Sequence, residues 1–259
     1  MSIERRWPHA EITADLAALR ARGPLVHCLT NVVASTLTAN VLLAIGASPA
    51  MVHEEQEAAG FTSIAQAVLV NVGTITEATA RAMEAAARTA AAKGVPWVLD
   101  PVGVGALPWR RRFARGLLAY RPAVIRGNGS EILSLAGSAD GGKGVDSTAS
   151  SADALTAAAS LATTTGAVVA LSGATDFITD GSEVVEVPGG NVMLTRVTGT
   201  GCALGAVIAA FLGAGCPPLR AATAASAVFS TAAETAMVYS HGPGSFTVAW
   251  LDVLANLDA

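Results

Sequence analysis

The residues from Val197 to Leu212 read V-T-G-T-G-C-A-L-G-A-V-I-A-A-F-L, and they carry the strongest chemical pattern in the chain. Two glycines one residue apart let the backbone bend tightly, and an Ala-rich apolar run follows at once, so a helix is expected to start there. The N–H groups of Gly199, Thr200, Gly201 and Cys202 would then stand at the positive end of the helix dipole and form an anion hole. Such a hole suits a phosphate and favours charge developing on a transferring phosphoryl group. Cys202 falls in the first turn, where the dipole is expected to lower a thiol pKa from its free value of roughly 8.5, letting it take or polarise a hydroxyl proton. The alternative is a capped helix whose small residues serve packing, with Cys202 as a small hydrophobe.

Three further segments place polar groups at the ends of apolar runs. Asp100 opens D-P-V-G-V-G at the carboxyl end of an expected strand, the edge at which open α/β sheets bind ligands. A carboxylate there either caps the turn or holds a hydrated magnesium, which takes one or two carboxylates and completes its shell with water and phosphate. In I-R-G-N-G-S-E, Arg126 stands at a strand end and can pair with phosphate, while Glu131 either joins Asp100 near a metal or favours a helix dipole. In V-H-C-L-T-N, Asn31 is placed to cap the next helix or to hold a small ligand by its amide, and His27, inside the apolar strand, reads as a satisfied core histidine. Met51 ends the run G-A-S-P-A-M, where a polarizable side chain either walls a flat aromatic ligand or fills the core.

These residues need a scaffold that brings strand ends to one edge. Short β-type runs at Leu25 to Leu29, Ser48 to Val52, Ala67 to Val72, Trp97 to Leu99, Ala123 to Ile125 and Val168 to Leu171 alternate with helical runs. The helical runs are Glu11 to Ala21, Val32 to Ile45, Thr76 to Lys93, Pro108 to Tyr120, Glu131 to Ala136 and Ala152 to Thr165. That alternation predicts a doubly wound α/β sheet with a mainly parallel core and helices on both faces. Phe177 to Thr179 and Glu183 to Val187 flank Asp180-Gly181, which predicts an antiparallel hairpin at the sheet edge. Helices are expected again at Ala203 to Leu212, Leu219 to Tyr239 and Phe246 to Leu257. No linker or internal repeat divides the chain, so residues 1–259 are expected to form a single domain. The low-complexity tract from Gly137 to Ser151 reads as a surface loop. Its G-x-x-x-x-G-K lacks the Ser or Thr of a P-loop, since Gly144 follows the lysine.

Composition narrows the function classes. Sixteen Lys and Arg against 20 Asp and Glu give a net charge of −4, without the basic excess that nucleic-acid binding requires. Mean hydropathy is high at +0.49. Yet the most apolar stretch, Gly201 to Cys216, is shorter than the roughly 20 residues of a membrane span and stops at Pro217-Pro218. Charged residues interrupt the N-terminal region, so no signal peptide is expected and the cytoplasm is the default. Cys28, Cys202 and Cys216 form an odd, widely spaced set that suits neither a disulfide framework nor a zinc site.

In order along the chain, VHCLTN, TANVLLAIGASPAMV, VLDPVGVGA, IRGNGSEI, ALSGATDFI, VTGTGC and HGPGSF resemble the hydroxyethylthiazole kinases of the ribokinase-like superfamily, from about Gly23 to the C-terminus. The resemblance implies a three-layer ribokinase-like fold and transfer of the ATP γ-phosphate to 4-methyl-5-(2-hydroxyethyl)thiazole in thiamine salvage. It implies a substrate site at Asn31, Met51, Gly199 and Cys202, an ATP site at Arg126 and Ser172, and Mg2+ near Asp100 and Glu131. It further implies a homotrimer with sites between subunits. Ribokinase-like sugar kinases carry Asp as the base where Cys202 stands, so the cysteine favours the thiazole branch; Ser172 replaces a Thr of some relatives and keeps the hydroxyl. Competing readings are a kinase for another vitamin alcohol, for which Asp at position 202 would speak, and a non-catalytic sensor, which would not need Asp100, Arg126 and Glu131 together. A dinucleotide oxidoreductase would need a G-x-G-x-x-G after the first strand, which is missing.

Overall fold

The computed structural model describes residues 9–137 and 151–257. Eight strands form one sheet: β1 (Leu25–Leu29), β2 (Ser48–Ala50), β3 (Ala67–Asn71), β4 (Trp97–Asp100), β5 (Val124–Asn128), β6 (Val168–Ser172), β7 (Thr175–Thr179) and β8 (Val184–Pro188). Their spatial order is β2-β1-β3-β4-β5-β6-β7-β8. The first six run parallel and the last two antiparallel, so the expected parallel core and edge hairpin are both present.

Helices cover both faces. On one lie α1 (His9–Arg22), α2 (Ser35–Ile45), α8 (Thr200–Gly213), α9 (Pro218–Val238) and α10 (Pro243–Asn256). On the other lie α3 (Glu55–Thr62), α4 (Glu77–Lys93), α5 (Pro108–Leu117), α6 (Gly129–Ala136) and α7 (Ser151–Thr165). Strands buried on both faces read as continuous apolar runs, and alternation sorts their residues between two cores. Leu69, Val98, Val124 and Ala170 face the first group of helices; Val70, Leu99, Ile125 and Leu171 face the second. Helix α8 is buried almost all round, wedged between the sheet, α2 and α9, which explains why its sequence is apolar on every side. Among the described residues no helix is long and apolar enough to cross a membrane.

Some boundaries differ from expectation. Helix α3 is not foreseen by the sequence, because it has a glycine inside it and buries only Ala58 and Thr62, too few for a periodic signal. Strand β2 stops at Ala50, which leaves Met51 half-buried just beyond it and packed against the first core. Helix α2 starts at Ser35 rather than Val32, since Asn31 Oδ1 accepts the N–H of Ala34 at 2.9 Å and spends the intervening residues in a turn. Asn31 therefore stabilises the approach to the helix without being its cap. The expected loop from Gly137 to Ser151, with its P-loop-like lysine, lies outside the described residues except at its ends; Gly137 caps α6 in the left-handed conformation.

Candidate active site

The alternation that sorts the core also aims the site. Leu69 and Val98 face α8, and Val124 and Ala170 face α9 on the same side of the sheet, so the residues two further along, Asn71, Asp100, Arg126 and Ser172, emerge on that side at or near the strands' carboxyl ends. Four neighbouring strands thus deliver two amide or hydroxyl groups, a carboxylate and a guanidinium beneath the start of α8.

The helix starts where the glycine spacing predicts. Gly199 is the cap, with φ +92°, and a Cβ there would come within 3.1 Å of Ala34 Cα and Cβ, so only glycine fits. The first intrahelical bond runs from Ala203 N to Gly199 O at 2.9 Å, leaving the N–H groups of Thr200, Gly201 and Cys202 outside the helical ladder. Thr200 Oγ1 donates to Leu194 O at 2.8 Å and ties the turn to the preceding segment. The Arg126 guanidinium lies directly against this turn: a Cβ on Gly201 would stand 3.1 and 3.2 Å from its Nη1 and Nη2. Arg126 Nε donates to Ser172 Oγ at 3.2 Å, and Nη1 is 3.9 Å from Asp100 Oδ2. Both Arg126 and Ser172, with Asp176, Asn191, Thr200 and Gly201, line a cavity of about 640 Å³. A second cavity, about 300 Å³, is lined by Thr30, Asn31, His53, Asn71, Thr74 and Met83 among others.

Asp100 is fully buried. Burial raises its carboxyl to about 7; the charge of Glu131 adds to the rise, while Arg126 and the Asn71 hydrogen bond oppose it. Its Oδ2 accepts from Asn71 Nδ2 at 2.7 Å, whereas Oδ1 is buried without a hydrogen-bond partner among the described residues. An orphaned carboxylate oxygen beside a guanidinium and three outward N–H groups fits a cation that arrives with phosphate. Glu131 is placed differently. It sits in the first turn of α6 in a capping box, Oε2 accepting from Asn128 N at 2.9 Å while Oε1 accepts from Gly103 N at 3.0 Å. The carboxylate therefore clasps the Asp100 loop to the helix start, close enough for its charge to act on Asp100. Among the described residues no three His, Cys, Asp or Glu side chains group as a complete ligand set.

Cys202 requires a correction. The helix start was expected to lower its pKa, but the thiol is pushed up by burial, and the Asp100 charge pushes it further; bonds from Asn31 and Asn71 and the charge of Arg126 pull the other way without prevailing. The helix-start position is thus outweighed by burial and the charge of Asp100. Asn31 Nδ2 donates to Cys202 Sγ at 3.1 Å and to Asn71 Oδ1 at 2.9 Å, so both hydrogens of that amide are engaged inside the protein. His27 is the satisfied core histidine expected: Nδ1 pairs with Thr62 Oγ1 at 2.9 Å, Nε2 with Val52 O at 2.8 Å, and burial lowers its pKa. Asn71, which joins Asn31 to Asp100, drew no attention in the sequence. The available signal was a polar residue ending a strand of otherwise apolar residues one strand away from Asp100.

The sequence model of the Hydroxyethylthiazole kinase family matches residues 16–259. A protein named hydroxyethylthiazole kinase from Leptospira borgpetersenii serovar Hardjo-bovis (strain JB197) is 54% identical over 256 residues, covering 99% of this chain and 97% of its own length. Among solved structures, hydroxyethylthiazole kinase protein from Pyrococcus horikoshii OT3 superposes with a TM-score of 0.89 at 38% identity, covering 96% of this chain and 94% of its own. A ribokinase-like superfamily protein from Enterococcus faecalis V583 shares the fold at a TM-score of 0.61 and 15% identity, covering 97% and 90% of the two chains. With the parallel sheet, the hairpin edge and the glycine-capped start of α8 in place, this likeness along nearly the whole length means that the chain has the ribokinase-like fold and belongs to the hydroxyethylthiazole kinase family.

Proposed function

We propose that the protein transfers the γ-phosphoryl group of ATP to the hydroxyl of 4-methyl-5-(2-hydroxyethyl)thiazole, a step of thiamine salvage, and that residues 1–259 act as one kinase domain. The observation that carries this reading is the juxtaposition at the start of α8: three N–H groups outside the ladder, the Arg126 guanidinium pressed against Gly201, and Cys202 one residue further on. Phosphoryl transfer requires mainly positioning and neutralisation of charge, and this turn supplies both. The nucleotide would occupy the larger cavity, with Arg126 and Ser172 on its phosphates. The alcohol would approach from the side of Asn31, Met51 and Gly199, with its hydroxyl at Cys202. Burial holds the Cys202 thiol above its ordinary pKa, so only a small thiolate fraction is present at neutral pH; in that form Cys202 orients the hydroxyl and takes its proton, and electrostatics carries most of the rate.

Asp100 would hold Mg2+ through its unpartnered Oδ1, with Glu131, whose oxygens accept from backbone N–H groups, adding its charge behind it; the ion when bound would neutralise the polyphosphate. We read the assembly as a homotrimer with sites between subunits; Val32 and Val33, 80% and 62% exposed beside Asn31, give the site an apolar rim suited to a neighbouring chain. Use of ATP and three free cysteines fit a cytoplasmic enzyme. Purified protein incubated with the thiazole alcohol and Mg-ATP should form the phosphate ester, read by mass spectrometry, and light scattering should give three times the chain mass. Turnover of a pyrimidine or pyridoxal alcohol with none of the thiazole would move the chain to another substrate.

A further inference from the structure

We infer that Asn71 is a positioning residue of the phosphoryl-transfer site, the single amide that sets Asp100 on one side and the Asn31–Cys202 pair on the other. The inference rests on the kinase reading above. Asn71 is fully buried at the end of β3 and in register with Asp100 on β4. Its orientation is fixed by its partners. Gly73 N can only donate, and it donates at 3.0 Å, so the atom facing it is Oδ1; the atom facing Asp100 Oδ2 at 2.7 Å is then Nδ2, a donor meeting a carboxylate. Oδ1 also accepts from Asn31 Nδ2 at 2.9 Å, which directs the other hydrogen of that amide to Cys202 Sγ at 3.1 Å. The Asn71 side chain also acts on Cys202, pulling its thiol pKa down against the stronger push of burial.

Two consequences follow. With Oδ2 held, Asp100 has only its unpartnered Oδ1 to offer an incoming group. With Asn31 held, the sulfur of Cys202 receives its hydrogen bond from a constant direction. The position needs a donor and an acceptor on one short planar group: a hydroxyl is too short to reach both sides, and a carboxylate would face Asp100 oxygen to oxygen. No group of Asn71 lines the Arg126 cavity, so nucleotide affinity should be indifferent to it.

The test compares kcat and the KM for ATP in the full-length protein with those of Asn71→Leu, Asn71→Asp and Asn71→Leu combined with Cys202→Ala. Folded fraction is followed by circular dichroism. For Asn71→Leu, kcat should fall by about ten- to a hundredfold, the usual effect of removing a partner that orients a reacting group, with the KM for ATP within about threefold. Part of the loss runs through Cys202, so the leucine substitution should cost less in the Cys202→Ala background than in the wild type. A kcat within about twofold of wild type in folded Asn71→Leu, or a loss equal in both backgrounds that tracks the folded fraction, overturns the inference. Should the leucine chain not fold, the nearly isosteric Asn71→Asp decides alone: it keeps the Gly73 and Asn31 bonds and opposes Asp100. A tenfold or greater fall in kcat supports the inference, and a smaller one overturns it. Wild-type protein inactive toward the thiazole alcohol would instead refute the kinase reading.

Discussion

Gly201→Ala separates stability from activity in a way that the first turn of α8 makes calculable. An alanine in a helix is favoured over glycine by up to about 1 kcal/mol, so folding should not suffer. The new Cβ, however, would stand 3.1 Å from Arg126 Nη1, 3.2 Å from Nη2 and 3.5 Å from Cζ. Ordinary contacts of this kind lie near 3.5–4.0 Å, so the guanidinium must retreat by roughly 0.3–0.5 Å or swing aside. Swinging is the easier course, since its protein anchors here are the Ser172 bond at 3.2 Å and Asp100 at 3.9 Å. A hydrogen bond to a charged group contributes about 1.5–3 kcal/mol, and complete loss would cost roughly 10- to 150-fold in kcat/KM for ATP. Displacement should give the lower end, about tenfold, mostly in KM. Steady-state kinetics with ATP varied at saturating alcohol reads this directly, beside a thermal melt. Gly116→Ala, on α5 with nothing within 4 Å of the new Cβ, supplies a control that should leave kinetics unchanged. Wild-type kinetics in folded Gly201→Ala, or the same loss when Arg126 is already alanine, would refute the placement of Arg126 on the nucleotide phosphates.

Arg126→Ala itself should raise the KM for ATP by tenfold or more and leave the magnesium optimum unchanged, measured by the same kinetics over a metal titration. Cys202→Ala should lower kcat near the bottom of the ~10² to 10⁴ range for loss of a general base, and Cys202→Asp should keep or raise it; a fully active alanine variant with an inactive folded aspartate variant would end the case for this residue. The Asp100 carboxyl stands at about 7 rather than its ordinary 3.8. The folded chain therefore holds that proton more tightly, and the stability it contributes is complete at low pH and lost as pH rises through 7. Asp100→Asn, melted in the presence of chelator, should gain in Tm over wild type at about pH 8.5 and gain little at about pH 4; equal shifts at both would contradict the raised value. Gly199→Ala meets a φ of +92° and Ala34 at 3.1 Å. It should lose about 2–5 kcal/mol of stability, seen as a Tm lower by several degrees or more.

Much of the scaffold is legible because strands buried on both faces leave unbroken apolar runs, and the Asp180-Gly181 turn marks the hairpin between β7 and β8. The Val197–Leu212 segment likewise announces a glycine-capped helix start, since few other structures use that spacing. Helix α3 escaped because a short, mostly exposed helix has little periodic pattern to show. The sign of the Cys202 shift escaped for a different reason: position in a helix can be read from sequence, but depth and the nearness of Asp100, about a hundred residues away in the chain, cannot. Asn71 is the same case, since its partners Asn31 and Asp100 lie far from it in the chain. Glu131 was readable as a helix-start acid, and only the fold shows that both its oxygens are engaged by backbone N–H groups.

The order of strands bears on how the chain is made. From β4 to β8 each strand lies beside the one synthesised just before it, so a growing sheet can add strands at its edge as they leave the ribosome, at the low loop-closure cost of near-neighbour contacts. Helix α8 breaks that sequence. It covers β1, β3 and β4, which are finished about 100 to 170 residues earlier. Until α8 and α9 are translated, Leu69, Val98 and Val124 have no cover on that side, and buried Asp100 has no roof. A nascent chain stalled before α8 should thus bind holdase chaperones strongly, and release should coincide with the emergence of α8 and α9.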